Sequence, residues 1–176
     1  MNIPNNKRKR ESQEKIEKAF VEMLQNRNIN DVSITDICKK THLNRSTFYA
    51  NYENIYDLSD KIRERLENDL LILYKDELKS RRGINDFLPL FEHIKANQLF
   101  YKTYFELGHE GRYEIIGYDE EAAKTHFGNK FVDYHLEFFK CGLTAIIKKW
   151  LNNNCAESPE EIDQILRSEY ARIQNS

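Results

Sequence analysis

Four polar side chains that could bind the edges and phosphates of a nucleic acid lie within five consecutive residues: Arg45, Ser46, Thr47 and Tyr49. A guanidinium group can donate two parallel hydrogen bonds to a guanine edge, and threonine offers a base both a hydroxyl and a methyl group. Serine and tyrosine hydroxyls suit phosphate oxygens. The run therefore indicates contact with DNA, although similar short runs also occur in helical domains that bind no nucleic acid.

Two helix-start signals frame this run. Ser33 is followed three residues later by Asp36, which is typical of a capped helix start, and Asn44 comes directly before Arg45. Each start is flanked by a hydrophobic pair that can pack across the first turn, Val32 with Ile37 and Leu43 with Phe48. Two capped helices separated only by residues 40–43 predict a helix-turn-helix.

The spacing between Asp36-Ile37 and the Thr47-Phe48-Tyr49 run is highly specific. It resembles the tetracycline-repressor (TetR) family of bacterial regulators, whose members follow a pattern close to T-x-x-D-I-A-x-x-A-G-V-S-x-x-T-F-Y-x-H-F-x-x-K-x-x-L. This chain fills the pattern with Ser33, Asp36, Ile37, Cys38, Thr41, His42, Leu43, Asn44, Thr47, Phe48, Tyr49, Asn51, Tyr52 and Leu58.

A regulator of this kind would contact DNA with selected side chains of the two helices and of the segment that follows them. Arg45 and Thr47 would read bases, assisted by Thr35 from the preceding helix. The exposed start of the second helix would also include Ser46. Phosphate contacts would come from Ser33, Tyr49 and Asn51.

Two departures from the family pattern bear on DNA binding. His42 replaces the turn glycine, at a position that is expected to need a positive φ. Ile55 replaces a lysine that often lies on a phosphate. These departures leave open an alternative function, a TetR-like coactivator or adaptor that acts through a protein partner with weak or no DNA binding.

A compact basic run, Lys7, Arg8, Lys9 and Arg10, precedes the predicted first helix, which should extend from about Glu11 to Gln25. As an N-terminal arm it could follow a phosphate backbone or enter a minor groove. The alternative is a solvated tail.

The charge and composition limit the possible functions. Net charge is −2, but residues 1–58 hold 10 Lys and Arg against 8 Asp and Glu, so the basic excess lies at the predicted DNA-binding end. No apolar run reaches the ~20 residues needed to span a membrane, and the scattered cysteines are typical of reduced, mostly buried thiols. We expect a cytoplasmic protein without a cofactor or enzymatic activity. We also expect no metal site, because Glu106 and His109 alone are a weak ligand pair.

Scarce glycine and proline and the absence of strand-type alternation predict an all-α fold. A three-helix head with its basic arm (1–53) should be joined by a long helix to a helical body for ligand binding and dimerisation (54–176). The long helix is expected from about 54 to 80, with Leu58, Ile62, Leu66, Leu70, Leu73 and Leu78 along one side. Body helices are expected at about 86–96, 98–107 and 128–152, and a last helix should begin after Ser158.

Aromatic residues are dense in the body and could line a pocket for a flat or apolar effector. The candidate pocket residues are Phe100, Tyr104, Phe105, Tyr113, Phe127, Phe131 and Tyr134. The alternative is that they only fill the core.

The helix expected at 128–152 is apolar on more than one face, which indicates burial both within its subunit and against a partner. The C-terminal part also resembles one TetR subgroup, whose last two helices form a four-helix dimer interface. The candidate interface residues are Phe139, Gly142, Ile146, Trp150, Ile162 and Leu166. An intramolecular core is the alternative. These features predict a homodimer on a palindromic, double-stranded DNA operator, acting as a repressor that responds to an unidentified small molecule.

Overall fold

A computed structural model describes residues 3–75, 87–109 and 130–174, with side chains described from Lys7 to Glu169 within these ranges. The described residues form α-helices, a 3₁₀ turn at Ile29–Asp31 and connecting turns, so the predicted all-α class is confirmed. The helices are α1 (Ile3–Leu24), α2 (Ile34–Thr41), α3 (Arg45–Tyr49), α4 (Ile55–Leu73), α5 (Leu88–Ala96), α6 (Gln98–Glu106), α7 (Val132–Asn152) and α8 (Pro159–Gln174).

The chain divides into two compact units, Met1–Leu66 and Glu67–Ser176, which we call the N-terminal and C-terminal units. The division falls inside α4, so this one helix contributes residues to both units. The sequence placed the boundary at the start of that helix, between residues 53 and 54.

The core of the N-terminal unit is built from one face of α1 together with the short helices that follow. Ile16 and Phe20 of α1 are fully buried, as are Ile37 of α2 and Phe48 of α3. Among the α1 side chains described from Lys7 onward, the first buried one is Ile16, although the helix itself begins at Ile3. The predicted start near Glu11 was therefore wrong, because the sequence pattern detects the packed part of a helix and not its exposed extension.

Helix α4 buries a row of residues spaced four apart: Leu58, Ile62, Leu66, Leu70 and Tyr74. The predicted row continued through Leu73, which is instead exposed, because an i, i+4 spacing from Leu70 leads to Tyr74. The Tyr74 hydroxyl accepts a hydrogen bond from the Leu90 backbone N–H at 3.1 Å, which ties α4 to α5 within the C-terminal unit. Leu78, the last predicted member, lies outside the described residues.

The core of the C-terminal unit centres on Trp150 of α7. Its ring meets Phe91 of α5 edge-on, with centroids 5.9 Å apart, and its Nε1 donates to the Glu157 carbonyl at 3.1 Å. Helix α8 starts with a reciprocal cap, since the Ser158 N–H donates to Glu161 and the Glu161 N–H donates to the Ser158 hydroxyl. The predicted Ser158 cap is thus confirmed.

The three cysteines are free, in three different environments. Cys155 is buried, and burial raises the pKa of its thiol. Cys38 is half-buried, whereas Cys141 is exposed, which corrects the expectation of mostly buried thiols. Among the described helices, none has the length and apolarity to cross a membrane.

Candidate nucleic-acid interface

The first helix of the motif, α2, begins at a closed cap. The Asp36 N–H donates to the Ser33 hydroxyl oxygen at 3.1 Å, and that hydroxyl donates back to the Asp36 carboxylate at 2.8 Å. The Ser33 hydroxyl is the main cause that lowers the pKa of Asp36, and Arg27, whose Nη1 lies 3.7 Å from the carboxylate, adds to it. Because its proton is engaged beside an anion, Ser33 is poorly placed for the predicted phosphate contact.

The turn between the two helices consists of His42, Leu43 and Asn44, since α2 extends through Thr41. His42 ends α2 in the left-handed conformation, with φ 57° and ψ 30°, as expected for the place of the family's glycine. Its N–H donates to the Cys38 carbonyl, and Leu43 donates to the same oxygen at 3.2 Å. A side chain other than glycine in this conformation costs roughly 1–2 kcal/mol.

The second helix, α3, is a single five-residue turn held by its buried side. Phe48 is completely buried, while Arg45, Ser46 and Tyr49 are exposed and Thr47 is half-exposed. Asn44 occupies the cap position, but its side chain makes no capping bond. Of the two predicted base readers on this turn, Arg45 is thus exposed and Thr47 is half-exposed.

The remaining predicted contacts differ in their availability. Thr35 is exposed on α2, as the prediction requires. Asn51 is half-buried: its amide nitrogen donates to the Thr47 carbonyl at 2.7 Å, and its Oδ1 is buried. An amide already bonded inside the N-terminal unit is poorly suited to bind a phosphate, so the structure does not favour the role predicted for Asn51.

A partly buried polar cluster holds the segment that follows α3. The Tyr52 hydroxyl donates to Glu17 Oε1 of α1 at 3.0 Å, and Arg65 Nη2 of α4 donates to Glu17 Oε2 at 2.8 Å. Burial first, and the neighbouring Glu17 second, raise the pKa of Tyr52. We call these three residues the Tyr52 clamp. It joins three parts of the N-terminal unit by charged hydrogen bonds: α1, α4 and the segment that follows α3.

The structure shows why Ile55, where the family pattern has a lysine, suits this fold. Ile55 is buried at the start of α4, so it serves the core, and an ammonium group there would lose its hydration. Lys61 lies one to two turns later. Its Nζ is 3.0 Å from both the Asn51 carbonyl and Asp57, and 5.4 Å from the centroid of the Tyr52 ring. Lys61 thus places a positive charge beside Asn51 and Tyr52, from a sequence position other than that of the family's lysine.

The basic run is not an arm that precedes the first helix, as predicted, but part of α1. All four side chains are exposed, and consecutive helical residues point in different directions. Lys7 and Arg10 pair with Glu11 and Glu14 at 4.0 and 3.7 Å. The run therefore cannot place four cations on one groove. Arg8 and Lys9 are the two whose charges those pairs leave uncompensated.

Three exposed residues near α3 were not grouped by the sequence prediction. Thr35 and Lys39 lie at i and i+4 on α2, and His42 follows the end of α2 in the left-handed conformation. Helical spacing counted from Thr35 could have found Lys39. His42 was recognised only as a turn residue.

The predicted effector residues do not form one group. Tyr104 is buried, and its hydroxyl lies 3.3 Å from the His109 carbonyl and 3.4 Å from Glu67, while Phe100 and Phe105 are half-buried. Phe131 and Tyr134 are 72% and 77% exposed, so their predicted place in a pocket is corrected. Both lie at the start of α7, on its outer side. The remaining two candidates, Tyr113 and Phe127, lie outside the described residues.

Glu106 and His109, from which no metal site was expected, lie in the same unit, and within the described residues no group of three metal-binding side chains occurs. Burial raises the pKa of Glu106, and the neighbouring Lys102 lowers it.

The predicted dimer residues divide between two faces of α7 and α8. Phe139, Trp150, Ile162 and Leu166 are buried within the chain itself, which corrects their assignment to an intersubunit surface. Gly142 is exposed and Ile146 is half-buried. The reason is helical phase, since the outer face of α7 is one residue away from the predicted one. That outer face consists of Tyr134, Phe138, Cys141, Gly142 and Ala145.

Comparison with known proteins places both the C-terminal region and the fold. Residues 84–168 match the family described as "Transcriptional regulator C-terminal region" (TetR_C_8). A solved structure, the dihydroxyacetone kinase operon activator DhaS, superposes with a TM-score of 0.56 at 19% identity, covering 93% of this chain and 96% of that one. At that identity the likeness shows the fold.

Two curated proteins are similar in sequence. The HTH-type dhaKLM operon transcriptional activator DhaS of Lactococcus lactis subsp. lactis (strain IL1403) is 29% identical over 126 residues, 70% of this chain and 66% of that protein. The uncharacterized HTH-type transcriptional regulator YxbF of Bacillus subtilis (strain 168) is 22% identical over 159 residues, 85% of this chain and 42% of that protein. The chain thus spans less than two thirds of either relative. The C-terminal region of the chain is thus similar to that of TetR-type transcriptional regulators, and both curated relatives are named HTH-type regulators.

Proposed function

We propose that the protein is a cytoplasmic, sequence-specific DNA-binding regulator that acts as a homodimer on a palindromic operator and responds to a small molecule. Base reading comes from Arg45 and Thr47 with Thr35, and phosphate contacts come from Ser46, Tyr49 and the α1 residues Arg8 and Lys9. The observation that carries the proposal is the exposed reading surface of α3 above a fully buried Phe48. Such a surface is held rigidly while its polar groups stay available.

Fluorescence anisotropy on DNA that flanks the protein's own gene tests the DNA-reading role. The measurement compares that DNA with scrambled DNA at two salt concentrations, because phosphate contacts make affinity fall as salt rises. Arg45→Ala should cost about 1–3 kcal/mol at one base step and relax the preference there. Tyr49→Phe should weaken binding to all sequences alike.

Lys75→Ala is the matched control for Arg45→Ala. It removes one exposed positive charge from the C-terminal unit and should leave affinity unchanged. Equal sequence preference in Arg45→Ala and the wild type would show that α3 does not read this base. If every candidate operator is bound no better than scrambled DNA, the adaptor function through a protein partner becomes the better hypothesis.

Dimerisation is proposed through the outer face of α7. Phe138 is 70% exposed on it, and a Cβ added to Gly142 meets no atom within 4 Å in the isolated chain. Small residues in the middle of a helix face allow a second helix to approach closely. Two copies of the reading helix, spaced by a twofold axis, could then bind half-sites about one DNA turn apart.

Sedimentation at micromolar concentration tests this interface with Gly142→Leu. Because the added side chain enters open space, the subunit should keep its thermal stability, while a close partner would be displaced. Phe138→Glu should act likewise, whereas Ile72→Glu, at a site that is also 70% exposed on α4, should leave a dimer intact. A wild type that sediments as a monomer contradicts the proposal directly.

The effector response is proposed to pass along α4, because this one helix contributes to both units. An effector that favours one α4 position would shift the population of the DNA-binding form by its differential affinity. The test is operator affinity with and without each candidate molecule that raises the melting temperature. Molecules that bind without changing operator affinity would remove this part of the proposal.

The direction of regulation is a separate question. The family resemblance predicts repression, whereas the DhaS proteins found by comparison are named activators. We propose activation as the second candidate on that ground. A reporter driven by the identified operator decides between them, since deletion of the regulator raises expression under repression and lowers it under activation.

A further inference from the structure

His42 adopts a backbone conformation that is strained for a residue with a side chain. Its φ of 57° lies in the left-handed region, where glycine is free of strain. The two hydrogen bonds to the Cys38 carbonyl use only backbone atoms and would form equally with glycine. The imidazole is exposed, so burial does little to offset the strain. A reason for histidine here is therefore best sought in a molecule that binds to this surface.

The place of His42 in the motif indicates what that molecule could be. It ends α2 in the turn, three residues before Arg45, the first residue of α3, and its side chain is exposed like those of Thr35 and Lys39 on α2. A protonated imidazole donates hydrogen bonds from both ring nitrogens. Phosphate oxygens only accept hydrogen bonds and carry negative charge, so they match this group.

We propose that His42 donates a hydrogen bond to a DNA backbone phosphate beside the bases read by α3, and that this contact makes operator affinity depend on pH near neutrality. The inference rests on the proposed DNA-binding function and adds that DNA binding is coupled to protonation of the His42 imidazole. An imidazole has an ordinary pKa of about 6.5, and a phosphate contact favours its charged form. Binding should therefore take up protons and weaken as pH rises.

The other ionisable groups around the turn are ammonium, guanidinium and carboxylate groups. Lys39 lies on α2 and Arg45 on α3, and both side chains are exposed. From α1, which packs against α2, Glu22 contacts Lys40 at 2.8 Å, and this contact lowers the pKa of Glu22. Farther along α2, Ser33 and Arg27 lower the pKa of Asp36. Among these side chains, His42 carries the imidazole, the kind of group that can change its charge near neutral pH.

The test is operator affinity at about pH 6, 7 and 8 and constant salt, by fluorescence anisotropy with the full chain. If the phosphate raises the imidazole pKa by about one unit, affinity should fall about sixfold per subunit across this range. His42→Asn tolerates a positive φ but cannot titrate, and His42→Gly also removes the strain. Both should lose most of the pH dependence and, near pH 6, reduce the salt slope by about one per subunit.

His135→Asn, the same change in the C-terminal unit, is the matched control and should keep the wild-type pH dependence. Melting temperatures of all variants at each pH separate binding from folding. Sequence-selective binding with unaltered pH dependence in His42→Asn overturns this inference alone. A wild type that selects no operator at any pH overturns the proposed function and this inference together.

Discussion

The Tyr52 clamp gives a stability prediction whose size can be worked out from its contacts. Tyr52→Phe removes one hydroxyl and keeps the ring, including its contact with Phe48 at 5.6 Å between centroids. The lost bond joins a buried hydroxyl to the carboxylate of Glu17, and hydrogen bonds to charged groups contribute about 1.5–3 kcal/mol. Glu17 still binds Arg65 at 2.8 Å, so no carboxylate is left unpaired. We therefore expect a loss of about 1.5 kcal/mol, at the lower end.

The clamp also predicts how this loss depends on pH. The folded state raises the pKa of Tyr52 above the value of about 10 in the unfolded chain, so its contribution is complete below pH 10 and is lost at higher pH. Phenylalanine has no proton to lose. The stability difference between wild type and Tyr52→Phe should thus stay constant from neutral pH to about pH 9 and shrink above pH 10.

Urea unfolding provides the assay, because two probes distinguish the two units. Trp150, the only tryptophan, lies in the C-terminal unit, whereas far-UV circular dichroism follows the helices of both. The loss should appear in the dichroism transition. Tyr56→Phe is the control: its hydroxyl also donates, to Asn30 at 2.7 Å, but the residue is 57% exposed, and we expect a loss below about 0.5 kcal/mol. Equal stability of Tyr52→Phe and wild type, or a difference that is unchanged at pH 11, would refute the argument.

Three further predictions concern a cap, the core and an ion pair. Ser158→Ala should destabilise the C-terminal unit by about 1 kcal/mol in the Trp150 fluorescence transition, because it opens the reciprocal cap with Glu161, and an unchanged midpoint would contradict this. Ile37→Ala should lower the free energy of unfolding, measured by the dichroism transition, by about 2–5 kcal/mol, since the side chain is fully buried. A loss below about 1 kcal/mol would contradict this and would show that neighbouring side chains move in to fill the cavity. The lowered pKa of Glu22, due first to its bond with Lys40, predicts a small stabilisation that is present above pH 4–5 and lost at lower pH. Glu22→Gln should therefore converge with wild type in acid, and a constant difference between pH 7 and 3 would exclude this.

Local signals in the sequence predicted the helix-turn-helix well. Ser33 and Ser158 cap the helices they were expected to cap, and His42 takes the positive φ expected of its position. These features depend on residues within four positions of one another, where hydrogen-bond geometry leaves few alternatives. The start of α1 was missed for the opposite reason, because the exposed polar run 7–11 carries no apolar periodicity that would extend the predicted helix toward Ile3.

Assignments that depend on distant packing were less successful. The sequence showed that α7 is apolar on two sides, but not which side packs inward, and so Phe139 was assigned to the partner's side in place of Phe138. The Tyr52 clamp joins residues 35 and 48 positions apart, and no local pattern indicates such a pair. Two of its members, Glu17 and Arg65, also look like ordinary surface charges in the sequence. Only the packing of α1 against its neighbours brings them together.

The five-residue α3 has a consequence for how such a protein can change over generations. A helix this short is not stable alone, so its conformation depends on Phe48 and on the clamp behind it. Arg45, Ser46 and Tyr49 stand on the solvent side, where substitutions usually alter stability little. Selection can therefore exchange the reading side chains while the scaffold stays folded. A duplicated copy of the gene could acquire a new operator through a few such exchanges, without first gaining stability to tolerate them.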